Sequence, residues 1–195
     1  MKRVTVYCAS STRLPQSWYD AAEAIGKQLA EHDLELVYGG GSIGLMGACA
    51  TGTKQAGGHV HGVITHKLVA MEQAWDGCDV LDVVDTMQQR RRKLLDLADG
   101  LLVLPGGLGT MEEFFEALVA RQLGDHGTPI VLVNIDGALT SLIEMLNDLT
   151  QRQLIRDSIH SLYAVADDPS QAVQLLLNQD GGVVDPAGFV PSGEG

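Results

Sequence analysis

Short, almost wholly apolar runs alternate along this chain with longer stretches whose apolar residues recur every three or four positions. The runs at 4–8, 34–38, 60–64, 80–84, 101–104, 130–134 and 161–165 read as strands, because unbroken apolarity marks a strand buried on both faces. The stretches at 16–32, 44–56, 86–98, 111–123, 139–152 and 169–177 read as helices. This alternation predicts an α/β fold, a Rossmann-like, doubly wound parallel sheet forming a single domain over residues 1–180. Neither an internal repeat nor a linker between two cores is visible. From Gln179 onward the chain is rich in Gly and Pro without periodicity, so 181–195 is expected to be a flexible tail.

Ligands of such sheets bind beyond the carboxyl ends of the strands, where both glycine-rich loops, 39–44 and 106–109, fall. The second loop carries more chemistry. Leu101-Leu102-Val103-Leu104 leads into Pro105-Gly106-Gly107-Leu108-Gly109-Thr110-Met111-Glu112-Glu113, and an amphipathic run follows. Glycines let backbone amides converge on one point without Cβ obstruction, and a helix start aims its positive end there. A phosphate fits that point, and Glu113 stands beside it in the expected first helical turn. Thr110-Met111-Glu112-Glu113 also has the form of a capping box, in which Glu113 only reaches back to the cap amide. Both readings of Glu113 stand on the sequence. Glu112 reads as a solvated acid that complements the helix dipole.

Gly39-Gly40-Gly41-Ser42-Ile43-Gly44 satisfies G-x-G-x-x-G, yet it follows the second strand rather than the first. No Asp or Glu lies between Glu35 and Glu72 to hold a ribose, and no Lys-Ser/Thr follows the glycines. Dinucleotide and P-loop binding are therefore disfavoured. A tight turn and a ligand-lining role for Gly40, Gly41 and Ser42 remain equal readings.

Charge sharpens the picture. The 195 residues carry a formal net charge of −12, which disfavours nucleic acid and anionic membranes as partners. Four of the 13 basic residues nevertheless stand together as Arg90-Arg91-Arg92-Lys93, at a helix start where cations oppose the macrodipole. A solvated cationic face is the bland reading; an anion pocket is the other. Arg90 and Arg91 point about 100° apart around a helix. Glu72 is a lone acid on a short helical segment and, by itself, a surface residue. His59 and His61 alternate on one strand face without a third ligand, so no metal is expected. Cys8, Cys49 and Cys78 are odd in number and lack metal spacing, which suits a reducing, cytoplasmic setting. The amino terminus enters a strand at once, without the pattern of a secretory signal, and no apolar run reaches membrane-spanning length. A nucleophile elbow and a pyridoxal-phosphate lysine are likewise not visible, and no cofactor is expected.

Pro105 to Glu113 resembles the PGGxGTxxE signature of the LOG (Lonely Guy) family of cytokinin riboside 5′-monophosphate phosphoribohydrolases, long mislabelled possible lysine decarboxylases. Tyr38 to Gly47 is similar to its YGGGxxGLMG, Met87 to Arg91 to its MHxRK, and Gln122-Leu123-Gly124, Pro129 and Asn134-Ile135-Asp136-Gly137 to its QLG…P…NxDG. The resemblance spans residues 1 to about 180. It implies a Rossmann-like sheet without dinucleotide, a homodimer or higher homo-oligomer, and hydrolysis of the N-glycosidic bond of a nucleoside 5′-monophosphate, AMP or N6-substituted AMP. It implies Arg90 and Glu113 as catalytic residues. Substrate contacts implied are Glu72, Arg91, Gly106, Gly107, Leu108, Gly109, Thr110, Met111 and Glu112, with Gly40, Gly41 and Ser42 from the first loop. Arg91 replaces the family's lysine, Gln88 a common histidine, Thr65 a common proline, Val119 a threonine and Ala120-Arg121 a Trp-Ala pair. Non-hydrolytic binding of a nucleotide or a molybdopterin-like cofactor is the alternative on the same fold. Lysine decarboxylation lacks the lysine and cofactor context it requires.

Overall fold

A computed structural model describes residues 2–72, 74–179 and 181–189. Among them seven parallel strands form one sheet in the order β4-β3-β2-β1-β5-β6-β7. The strands are β1 (Arg3–Tyr7), β2 (Glu35–Tyr38), β3 (Val60–Thr65), β4 (Val80–Val84), β5 (Gly100–Val103), β6 (Ile130–Val133) and β7 (Ala164–Ala166). The helices are α1 (Gln16–Glu31), α2 (Gly44–Gln55), α3 (His66–Glu72), α4 (Met87–Asp96), α5 (Leu108–Gln122), α6 (Thr140–Gln151) and α7 (Pro169–Asn178). The doubly wound architecture is as the apolar pattern predicts.

Continuous apolarity has the expected cause. The central strands β2, β3, β5 and β6 are covered on both faces, and every residue of β3, β5 and β6 is buried. Helices α1, α2 and α7 cover one face, over Val4, Val6, Leu36, Tyr38, Leu102 and Val131. Leu94 and Leu95 of α4, Phe114 and Leu118 of α5, and Leu142 and Leu146 of α6 cover the other, over Val37, Val63, Leu101 and Leu132. The edge strand β4 alternates between half-buried and exposed positions instead.

Two element starts lie three residues from where the sequence reading puts them. Helix α5 begins at Leu108, three residues earlier than expected, because Gly107 takes the N-cap position in extended geometry. Thr110 and Glu113 therefore lie inside the helix and form no capping box. The box belongs to α4, where the Thr86 side chain accepts from Gln89 N–H and the Gln89 side chain accepts from Thr86 N–H. The last predicted strand shortens to β7, since Asp157–Ser161 winds as a 3₁₀ turn. Residues 181–189 lie along the second face: Phe189 O accepts from Gln122 Nε2, Gly188 O accepts from Ser158 Oγ, and Val184 and Phe189 pack on its apolar cluster. Residues 190–195, the remainder of the expected tail, are outside the described residues.

His59 and His61 do face the same way. Both approach Glu35 Oε1, at 3.2 and 3.4 Å, and His61 Nε2 lies 2.6 Å from Asp82 Oδ2. They knit neighbouring strands, and neither lines the cleft described below. Arg3 donates to Glu35 at 2.9 Å, and against the cost of burial this cation and the two histidines hold the Glu35 carboxyl below its ordinary range.

Candidate functional site

The chain leaves β1 toward one face of the sheet and β5 toward the other, so their adjacent carboxyl ends part to leave a crevice. A cleft of about 350 Å³ opens there. One wall comes from the end of β1, with Tyr7, Ser10 and Ser11. The other is the first turn of α5, Gly107 to Thr110, with Glu113 one turn deeper. Arg90 and Met87 of α4 close the base, beside Gly39, Met46 and Leu68.

Arg90 is only 6% exposed. Its Nε donates to Val63 O at 3.0 Å, Nη2 to Gly39 O at 3.3 Å and Nη1 to Glu113 Oε1 at 3.0 Å. Val63 lies within β3, two residues before its carboxyl end, and Gly39 directly follows β2, so the sheet itself aims the guanidinium. A buried guanidinium needs such partners, because desolvating a charge is costly unless it is paired and hydrogen-bonded. The cation that looked misplaced at a helix start is thus offset by carbonyl dipoles and a carboxylate.

Glu113 is equally buried, 9% exposed. Burial pushes its carboxyl up to about 7, against the pull of Arg90. A carboxyl that titrates near neutrality inside a cleft suits proton transfer and charge stabilisation. Its neighbour on β1, the Tyr7 hydroxyl, is pushed up by burial and by Glu113 and Glu116, and stays neutral.

The start of α5 supplies the anion site. Leu108, Gly109 and Thr110 fill the first three helical positions, whose N–H groups have no intrahelical acceptor, and all three line the cleft. A Cβ placed on Gly107 or Gly109 would meet nothing within 4 Å, so the absent side chains leave room for a ligand. Gly106 is required for packing: a Cβ there would lie 2.1 Å from Thr110 Oγ1. Leu108 is 91% exposed and borders the mouth.

The first glycine loop packs against the protein itself. Leu45 N–H, at the start of α2, donates to Ala9 O at 2.9 Å, so a protein carbonyl occupies the place a pyrophosphate would need. Gly44 has φ +65°, and a Cβ on it would press 2.6 Å from Ala9 O. Gly40, Gly41 and Ser42 lie outside the cleft lining; Gly40 O accepts from Trp75 N–H and Gly41 bridges Ala74. Only Gly39 of this loop reaches the cleft. Its missing side chain is essential there, because a Cβ would stand 2.2 Å from Arg90 Nη2 and 2.8 Å from Met46 Sδ. Gly39→Ala is expected to displace the guanidinium and to lower activity about a hundredfold in a folded protein, checked by turnover and circular dichroism together.

Other expected contacts are not brought to the cleft. Arg91 and Glu112 pair with each other at 2.9 Å on the outer side of α4 and α5, and Met111 packs on the second apolar cluster. Val119 is 48% exposed on α5, away from the cleft. Glu72 ends α3; its side chain falls outside the described residues. Conversely Ser10, Ser11 and Leu68, which no motif marks, line the cleft, together with Gly39, Met46 and Met87, which the sequence offers only within longer motifs. The pair Ser10-Ser11 follows a strand end, a signal that gains meaning only once β1 is known to neighbour β5. Among the described residues no group of three His, Cys, Asp or Glu side chains could hold a metal ion, and no helix is long and apolar enough to cross a membrane.

Comparison with known proteins adds the following. Residues 46–176 match the family model described as possible lysine decarboxylase. A cytokinin riboside 5′-monophosphate phosphoribohydrolase of Arabidopsis thaliana is 35% identical over 175 residues, 90% of this chain and 82% of that protein. A probable enzyme of the same name from Oryza sativa subsp. japonica is 37% identical over the same share of the chain and 77% of its own length. Among solved structures, the molybdenum cofactor carrier protein of Chlamydomonas reinhardtii superposes with a TM-score of 0.70 at 25% identity, over 91% of this chain and 99% of that one.

Proposed function

Because this chain belongs to the LOG (Lonely Guy) family, whose model carries the older description possible lysine decarboxylase, we propose that it hydrolyses the N-glycosidic bond of a nucleoside 5′-monophosphate. The products are the free base and ribose 5-phosphate. The observation that carries this reading is the buried Arg90–Glu113 pair, set one helical turn from the open amides of α5. Those amides take the 5′-phosphate and place the anomeric carbon near Glu113, turning remote binding energy into position. As the C1′–N bond breaks, positive charge grows on the ribose and negative charge on the base. The Glu113 carboxylate stabilises the former and takes a proton from the attacking water, which delivers hydroxide to C1′; the departing base takes up a proton from solvent and Glu113 returns its own, so water is added across the broken bond. Arg90 keeps that carboxylate aimed and offsets the charge on the departing base.

The substrate of the Arabidopsis relative makes AMP bearing an N6 substituent, together with AMP itself, the natural panel. Free base is expected from the monophosphates. Adenosine, which cannot use the amides of α5, is expected to react about 10³-fold less efficiently. Equal rates with and without the phosphate would remove the anion site from the mechanism.

Acid–base behaviour gives a second expectation. Glu113 must be ionised to work, and burial raises its carboxyl to about 7, so kcat/KM rises with pH through a limb near 7 and flattens above it. A limb in the ordinary carboxylate range, below 5, would point to another group.

Val119 and Leu123, each 48% exposed on the outer side of α5, support self-association as a homodimer. Light scattering after size exclusion is expected to give twice the 20.8 kDa of one chain. The buried free thiols of Cys8 and Cys49 suit the reducing cytoplasm, where a tagged copy is expected to localise. The likeness to the Chlamydomonas carrier favours one other reading, retention of a nucleotide-like cofactor without hydrolysis. Recovery of intact AMP from long incubations with tight binding would select it.

A further inference from the structure

Arg91 is turned away from the cleft and holds two carboxylates of the neighbouring helix at once. Nη1 lies 2.9 Å from Glu112 Oε1, and Nε donates to Glu116 Oε2. Glu112 and Glu116 are four residues apart on α5, on either side of the level of Glu113. Arg91 in turn is the residue after Arg90. The outer pairings therefore tie together the same two helices whose inner faces supply the Arg90–Glu113 pair. Tyr7, Leu95 and Ala117 line the crevice between the two sets of contacts, with Arg91, Glu113 and Glu116, and Tyr7 also lines the cleft.

We propose that Arg91 is a positioning residue: its guanidinium clamps α4 to α5 through Glu112 and Glu116 and so fixes the distance between Arg90 and Glu113. This rests on the hydrolytic reading above. The contact is built for a fork. A guanidinium can address two carboxylates through separate N–H groups, whereas the ammonium of a lysine is a single point on a flexible stem. The side chain of Arg91 is 19% exposed and those of Glu112 and Glu116 are 55% and 39% exposed, so solvent screens all three. Screened pairs of this kind add little to stability. Their effect is geometric, and misplacing a catalytic group by about 1 Å can cost a hundredfold in rate.

The clamp also sets the field at Glu113. Arg91 pulls the Glu113 carboxyl down and Glu112 pushes it up, beside the larger effects of burial and Arg90. The charged and titratable neighbours facing this region are Arg90 and Arg91 from α4, Glu112 and Glu116 from α5, Tyr7 from β1 and Cys8 directly after it.

Base release by Arg91→Met, Arg91→Lys and Glu112→Gln/Glu116→Gln tests the clamp. Wild-type activity on AMP and N6-substituted AMP is measured first, and the better substrate is used throughout; absence of activity on both would fail the hydrolytic reading and is thereby distinct from failure of the clamp. With an active wild type, Arg91→Met and the double glutamine variant are each expected to lose about tenfold to a hundredfold in kcat, with KM within about threefold. Arg91→Lys is expected to recover part of the loss. The acid limb is expected to move up in Arg91→Met, which removes a cation, and down in the double variant, which removes two anions. A merely structural contact would lower kcat without moving the limb in opposite directions. An unchanged kcat, or a raised KM at full kcat as for a residue that grips substrate, would overturn the clamp. Should Arg91→Met fail to fold, the double glutamine variant decides the matter alone by the same two readouts.

Discussion

Glu113→Gln is expected to yield a folded protein that binds AMP nearly as well as the wild type and releases base about 10²–10⁴-fold more slowly. Gln keeps the shape of the side chain and an oxygen that can accept from Arg90 Nη1, where the carboxylate now accepts at 3.0 Å. It removes the negative charge that steadies the ribose cation and the base that activates water. The substitution is not expected to unfold the chain. The folded-state carboxyl lies near 7, above its ordinary value, so native Glu113 favours its neutral form relative to the unfolded chain. Its stabilising contribution is present at low pH and is lost as pH rises through about 7. A neutral amide escapes that loss. Steady-state base release and calorimetric titration with AMP check the two halves of the expectation. Loss of binding in step with turnover would mean that Glu113 holds substrate rather than reacting with it.

Arg90→Met has the largest expected effect on stability. Arg90 makes three buried hydrogen bonds, to Val63 O, Gly39 O and Glu113 Oε1, and its removal leaves an acid in the core without a cation. Breaking a buried pair from one side costs about 3–5 kcal/mol. Glu113 would escape part of the penalty by taking up a proton, so the carboxyl rises further and activity at neutral pH disappears with it. Adding Glu113→Gln to Arg90→Met is expected to recover part of the lost stability, since no buried charge then lacks a partner. Urea unfolding of the two single variants and the double variant measures this. Simple additivity of the two single effects would show that the pair is not coupled.

The path from sequence to this pair was only partly legible. β5, the turn after it and α5 could be read from an apolar run, three glycines and an amphipathic run. The Thr110–Glu113 spacing suggested a cap, but Gly107 starts the helix earlier and puts both residues inside it. A four-residue pattern does not fix a helix start when a glycine upstream can adopt extended geometry. The adverse cost of cations at the start of α4 drew attention to Arg90 and Arg91, but not to which one enters the cleft. That choice is made by two carbonyls, Val63 O and Gly39 O, which come from strands remote in sequence. Ser10 and Ser11 carry no local signal for a related reason. Their significance follows from strand order, and nothing in a local pattern says that β1 lies between β2 and β5. For the first glycine loop the sequence leaves a tight turn and a ligand-lining role even; the Leu45–Ala9 hydrogen bond fits the turn, and Gly39 alone of the loop lines the cleft.

One tube of AMP and the wild-type protein, followed by proton and phosphorus NMR, reports the fate of every bond that matters. Adenine and ribose 5-phosphate should appear in equal amounts as the anomeric proton of AMP fades, and neither should appear with Glu113→Gln. AMP that binds yet stays whole, or inorganic phosphate appearing in place of ribose 5-phosphate, would mean that the cleft between β1 and α5 does not break the glycosidic bond.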